Sequence, residues 1–158
     1  MSPPCASFIS AVHLFLIRGS QILLLRRFNT GYEDGNYSVP AGHLDGREQV
    51  SAAASREARE EIGVEIAPHD IEVVGVMHRL SNDERIDFFV ASTHWTGEPF
   101  NQEPDKCDEL LWADLNQLPG NVIPYVRRAI GNNRAGHWFD ATGWPDPPLA
   151  SSPSSTGT

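Results

Sequence analysis

The chain is 158 residues long, 40% hydrophobic and 21% charged, with a formal net charge of −9 at pH 7. That length suits one domain with a real core and leaves no room for a second of ordinary size. The acidic balance excludes a broad, sequence-independent grip on nucleic acid polymers, which draws on clustered Lys and Arg, and points instead to small partners. An anionic substrate would be repelled by such a surface unless a cation bridged it to carboxylates.

The two cysteines, Cys5 and Cys107, form no short metal-binding pair and are weak grounds for secretion, so a cytoplasmic setting is expected. The apolar run from Phe8 to Ile17 follows no basic leader, contains His13 and is too short to span a membrane as a helix. It reads as a strand, and no membrane partner is expected. Residues 8–17 and 21–27 are two apolar runs split by Arg18-Gly19-Ser20, the pattern of a β-hairpin. Phe28 to Tyr37 is rich in Gly, Asn and acids and reads as a loop. Ser38-Val39-Pro40-Ala41-Gly42 follows as a short strand stopped by proline.

From about Gln49 to Ile62 the chain is rich in Ala, Glu and Arg, lacks Gly and Pro, and stops at Gly63, which predicts a helix. Residues 71–79 and 85–95 read as strands around a turn at Ser81-Asn82-Asp83-Glu84. A polar stretch, 96–108, precedes a last short strand at Leu110-Leu111-Trp112. A second helix is predicted from Asn121 to Ile130, with Gly131 at its end. The Pro- and Ser-rich end predicts a folded domain over 1–140 and a disordered tail over 141–158. Strands before, between and after two helices imply an α/β fold, a mixed sheet sandwiched by helices.

On the first helix, Glu57, Glu60 and Glu61 fall within about 100° of one another. Ala54, Ala58 and Ile62 form the adjacent, small-residue stripe. Spacing alone fits a solvated face with ion pairs such as Arg56 to Glu60 as well as a metal site. The glycine-bearing loop upstream shifts that balance. Gly42, Glu48, Arg56, Glu57, Glu60, Glu61 and Gly63 occupy every fixed position of G-x5-E-x7-R-E-U-x-E-E-x-G-U, where U is apolar. In this the chain resembles the Nudix hydrolases, with two mild departures: Ala58 is smaller than usual, and Gln49 stands where a Ser or Thr cap is common.

The resemblance implies the Nudix α/β/α sandwich over most of residues 8–131. It also implies Mg²⁺ or Mn²⁺ bound by Glu57, Glu60 and Glu61 with the carbonyl of Ala41. Arg56 would orient a carboxylate and Glu48 support the loop. Glu57 is the expected general base, with Glu61 or a loop acid as alternatives. Glu98 resembles a loop acid that joins the metal site in the MutT-like branch. Arg27, rather than Arg26, is expected to meet substrate, because strand alternation puts only one of them on the active face. The run from Glu103 to Glu109 followed by Trp112 resembles the nucleoside-triphosphate-cleaving branch. There Asp108 or Glu109 would recognise the base and Tyr32, Phe28 or Trp112 would stack on it.

The expected reaction is cleavage of a nucleoside triphosphate, ordinary or oxidised, to monophosphate and pyrophosphate. One alternative is a nucleoside diphosphate linked to another group, such as ADP-ribose or a nucleotide sugar. A different class is a catalytically silent domain that senses a nucleotide or binds a protein. A small nucleotide is thus the expected partner, with the chain a monomer or homodimer.

Overall fold

A computed structural model describes residues 2–146. The elements in order are β1 (Ile9–Arg18), β2 (Gln21–Arg27), β3 (Tyr37–Ser38), β4 (Ala41–His43), α1 (Val50–Ile62), β5 (Glu72–Leu80), β6 (Glu84–Ser92), β7 (Cys107–Asp114), α2 (Pro124–Ala135) and β8 (Phe139–Thr142). A single 3₁₀ turn, Pro68–Asp70, follows α1.

The expected hairpin forms, but it opens almost at once. Ile17 and Arg18 pair with Ile22 and Gln21, and there the two strands part. β1 then pairs with β4 on one side and runs parallel to β6 on the other, while β2 pairs with β3 and β7. The path is β3-β2-β1-β6-β5-β8, with β4 added to β1 and β7 to β2.

Both faces of the central strands are covered, which is why β1 and β2 read as continuous apolar runs rather than alternating ones. Val12, Leu14, Leu16, Leu23 and Leu25 face α1, whose Ala53, Ala54, Ala58 and Ile62 are fully buried against them. Phe15, Ile22, Leu24, Met77 and Phe89 face the other way, onto Val126, Ala129 and Ile130 of α2. The result is the α/β/α sandwich the sequence implied. Ala58 brings α1 close to the sheet where a larger residue would hold it off.

Several boundaries differ from expectation: the single strand expected over 38–42 is divided into β3 and β4 at Val39-Pro40, and α2 begins at Pro124 rather than Asn121. α2 runs through Gly131 to Ala135 and ends at Gly136, whose φ of +76° takes the left-handed cap. Gly131 has open space around it and a helical backbone, so nothing stops the helix there. β7 starts at Cys107, earlier than the Leu110 expected. β8 pairs in parallel with β5 from Val76↔Phe139 to Arg79↔Thr142, so ordered sheet crosses the boundary drawn at 140. The indole N–H of Trp144 then donates to the carbonyl of His78 at 3.0 Å. The remainder of the expected tail, 147–158, lies outside the described residues. Among those described, no helix is long and apolar enough to cross a membrane.

Candidate active site

The loop from β4 into α1 is tied together by one guanidinium. Arg56 Nε and Nη2 donate to the two oxygens of Glu48 at 2.8 and 3.0 Å, and Nη2 also reaches the carbonyl of His43 at 3.1 Å. Its Nη1 donates to Glu57 Oε1 at 2.7 Å and to Glu60 Oε2 at 3.4 Å. This forked arrangement fixes both plane and direction, which a lysine ammonium could not do. The Arg56 bonds first, against burial, hold the Glu48 carboxyl below its ordinary range. Glu48 and the loop carbonyl of His43 are thus joined through Arg56 to α1.

Glu57 is only 8% exposed and lies directly over Gly42. A Cβ at position 42 would stand 1.9 Å from Glu57 Oε1. Gly42 pairs with Val12 in the β1–β4 ladder, so the backbone there cannot retreat without breaking strand pairing. Gly42→Ala is expected to lower kcat/KM by about tenfold to a hundredfold, the scale for an ångström-sized misplacement of a group that positions the reacting atoms. Gly46→Ala, where nothing lies within 4 Å, should leave the rate unchanged. Equal rates for the two variants would show that Glu57 need not hold this position.

Glu61 accepts from the amide of Ala41 at 3.1 Å and faces an open cleft. Burial, and then the neighbouring Glu57 carboxylate, push the Glu61 carboxyl well above its usual range against the Ala41 bond. Glu57 is also raised, by burial first, with Arg56 opposing. Two like charges this close require a shared proton or a cation between them. The donor set is oxygen only, which suits a hard divalent ion. Among the described residues no three side chains of the metal-ligating types already enclose an ion position. Arg56 holds Glu57 and Glu60, and the Ala41 amide holds Glu61, whose carboxyl lies beside that of Glu57.

The cleft is lined by Arg26, Arg27, Lys106, Glu61 and Glu103, with Ala41 and Thr30 among the smaller groups, and has a volume of about 120 Å³. Both arginines reach it, not one, because the β2–β7 register shifts between Arg26 and Arg27. The same shift sends Asp108 and Glu109 together onto Arg26, at 2.7 and 3.0 Å. Glu109 also accepts from the Tyr37 hydroxyl at 2.9 Å, so it is engaged beside the cleft rather than lining it. Arg27 lines the cleft as expected, while its Nε and Nη2 donate to Tyr32 O and Thr30 Oγ1 and shape the loop after β2.

Glu98 is not brought to the carboxylates. Its side chain is 76% exposed and faces Arg18 at 3.4 Å, at the far end of the β1–β2 hairpin. The loop acid at the cleft is Glu103. Phe100 N and Gln102 N donate to the carbonyls of Ile62 and Glu61, which folds residues 100–103 over the end of α1. Trp112 is occupied as well: Arg18 lies 4.0 Å above it and Trp95 stacks beside it. Phe28 and Tyr32 keep half-exposed rings. Lys106, Arg26 and Glu103 are the cleft residues that sequence reasoning did not select.

A mixed sheet between two helices, with a carboxylate-bearing helix beside a basic cleft, defines an α/β domain suited to phosphate chemistry. The family described as NUDIX domain matches residues 8–138, and the chain belongs to this family. NAD-capped RNA hydrolase NudC of Pseudomonas aeruginosa is 32% identical over 106 residues, 67% of this chain and 36% of the relative. The chain thus matches about a third of that relative's length. The MutT NUDIX hydrolase of Burkholderia pseudomallei superposes with a TM-score of 0.73 at 25% identity, covering 80% of this chain and 98% of that one. The MutT protein of Methanosarcina mazei Go1 gives 0.69 at 20% identity, covering 81% and 94%, and shows the fold alone.

Proposed function

We propose that the chain hydrolyses a nucleoside triphosphate to monophosphate and pyrophosphate. The observation that carries this reading is the meeting, in one cleft, of Glu61 and Glu103 with Arg26, Arg27 and Lys106. Glu57, Glu60 and Glu61, with the Ala41 carbonyl and Glu103, would hold Mg²⁺ or Mn²⁺. When bound, such an ion polarises a phosphoryl oxygen and lowers the pKa of water.

The chain's own groups supply the rest. Arg26, Arg27 and Lys106 neutralise and orient the phosphates. Glu61, the acid that faces the cleft, takes the proton of the attacking water, whose oxygen bonds to phosphorus as the bridging P–O bond breaks. Glu57, pinned by Arg56 against Gly42, holds position rather than moving a proton. Of the acids named as candidates for the base, Glu61 is therefore preferred to Glu57.

A second reading, cleavage of a nucleoside diphosphate joined to another group, is favoured by the 32% identity to the NAD-capped RNA hydrolase. Product analysis on a nucleotide panel with Mg²⁺ separates the two. Pyrophosphate plus monophosphate supports the first, and two monophosphate-bearing products support the second. Tight binding without products would leave only a sensing role.

A further inference from the structure

On the other side of the sheet from α1, a set of polar and aromatic side chains is organised around Arg79 of β5. Strand pairing places His13, Asp87, Phe89 and Arg79 on the α2 face. Asp87 is 0% exposed and accepts from His13 Nε2 at 2.9 Å and from Arg79 Nε at 2.8 Å. The Arg79 guanidinium lies over the Tyr125 ring, 3.8 Å from its centroid. His13 is itself held between Phe89 and Tyr125, at ring distances of 4.8 and 5.6 Å. Burial works against the charge on Arg79. The Asp87 bond and charge, with the nearby Tyr125 and Tyr32 hydroxyls, nevertheless keep its pKa above the ordinary arginine value.

The guanidinium is therefore fixed in both place and plane. Its side chain is 12% exposed, and among the described residues Nη1 and Nη2 have no hydrogen-bond partner, yet neither is sealed from solvent. Neutralising Asp87 uses one donor and would be served by a lysine. The unengaged fork is what that structural role leaves over, and a fork of coplanar N–H groups matches a pair of adjacent acceptors.

The position fits a nucleotide held at the carboxylate cleft. Ala41 of β4 pairs with His13 of β1, beyond which lie β6 and then β5. Through His13 and Phe89 the β5 residue level with Ala41 is Gly75, so the Arg79 backbone, four residues further along, lies roughly 20 Å from Ala41; its head reaches back over β6 to Asp87, whose backbone is two strands across and two residues along, roughly 12 Å from Ala41. That span is comparable to the reach from the phosphates of a nucleotide to the edge of its base. Tyr32, half exposed, lies near Arg79 and carries Arg27 over its ring at 5.3 Å. Because Arg27 also lines the cleft, the loop bearing Tyr32 joins the two regions.

We propose that Arg79 reads the base of the nucleotide cleaved at this cleft, through paired hydrogen bonds to two adjacent acceptors, with Tyr32 as the stacking surface. This rests on the nucleotide-hydrolase reading above. Guanine offers O6 and N7, and cytosine offers O2 and N3. Adenine, uracil and nicotinamide have no adjacent acceptor pair and would set a donor against a donor or leave one N–H unmet.

The test is kcat/KM for GTP, CTP, ATP and UTP with Mg²⁺, on the wild type and on Arg79→Lys. GTP or CTP should exceed both ATP and UTP about tenfold or more, and which one does so identifies the acceptor pair. The preference should shrink towards unity in Arg79→Lys, through KM for the preferred nucleotide. On the wild-type protein, which needs no substitution to fold, 7-deaza-GTP or 3-deaza-CTP lacks one acceptor and should lose a similar factor. Turnover of ATP or UTP as good as that of GTP and CTP overturns the assignment, as does a preference that survives both Arg79→Lys and the deaza analogue. Absence of turnover for all four nucleotides instead overturns the triphosphate-hydrolase reading on which it stands.

Discussion

Glu61→Gln is expected to lower kcat by about 10²- to 10⁴-fold, the range for loss of a positioned acid–base group, with little change in KM. The substitution keeps the shape of the side chain and one acceptor for the Ala41 amide, so the fold should persist. It removes the one α1 carboxylate that both lines the cleft and sits well above the usual acid range, through burial and the Glu57 charge. The same variant should be more heat-stable than wild type in the absence of divalent ions. The sign follows from linkage. An acid whose folded pKa is raised contributes stability below its unfolded pKa, near 4.3, and loses it as pH rises through the folded value. The advantage of Glu61→Gln should therefore be largest near neutral pH without metal and vanish below about pH 4. With Mg²⁺ present the order should reverse, because the wild type gains a bound ion that the variant holds less well. Near-native turnover by Glu61→Gln, with Glu57→Gln inactive, would return the base role to Glu57.

The carboxylate face illustrates what a sequence can and cannot specify. Glu57, Glu60 and Glu61 share a helix face by periodicity, and their link to Gly42, Glu48 and Arg56 is local in the chain. The motif that joins them was therefore readable, and the two apolar runs of β1 and β2 were equally plain, whereas the close approach of Glu57 to Gly42 emerges only in the fold. The rest of the cleft depends on contacts between distant segments. Glu98 and Glu103 both lie on one polar stretch, and only the backbone bonds of Phe100 and Gln102 to the end of α1 decide which acid returns to Glu61. Arg26 joined Arg27 because of a register shift against β7, which alternation cannot anticipate. β8 escaped notice because Phe139-Asp140-Ala141-Thr142 is only four residues long and turns its apolar residues, Phe139 and Ala141, outward: its pairing with β5 is a matter of edge geometry. Gly131 misled for the opposite reason, a residue that usually ends helices sitting inside one whose packing carries on to Ala135.

Asp87 should prove the most costly single polar position in the sheet. Asp87→Asn leaves the Arg79 guanidinium without its carboxylate and His13 without an anionic acceptor, all within a core that admits no water to Asp87. Breaking one side of a buried ion pair costs several kcal/mol, and because Arg79 keeps a narrow opening to solvent the lower end, about 3 kcal/mol, is expected. For a chain of this length that corresponds to a fall in Tm of roughly 6–12 °C. Burial alone would raise the Asp87 carboxyl, but the bonds and charges of His13 and Arg79 outweigh it and hold the pKa below the ordinary value. A depressed acid contributes stability above its unfolded pKa, near 3.9, and loses it as pH falls through the folded value. The gap between wild type and Asp87→Asn should accordingly be full at pH 7 and close only below about pH 4, as denaturant melts at stepped pH would show. A gap of constant size across that range would mean that shape, not charge, accounts for the loss. In that case Arg79 would not depend on Asp87 for its orientation, and its fork would be free to turn away from an incoming base.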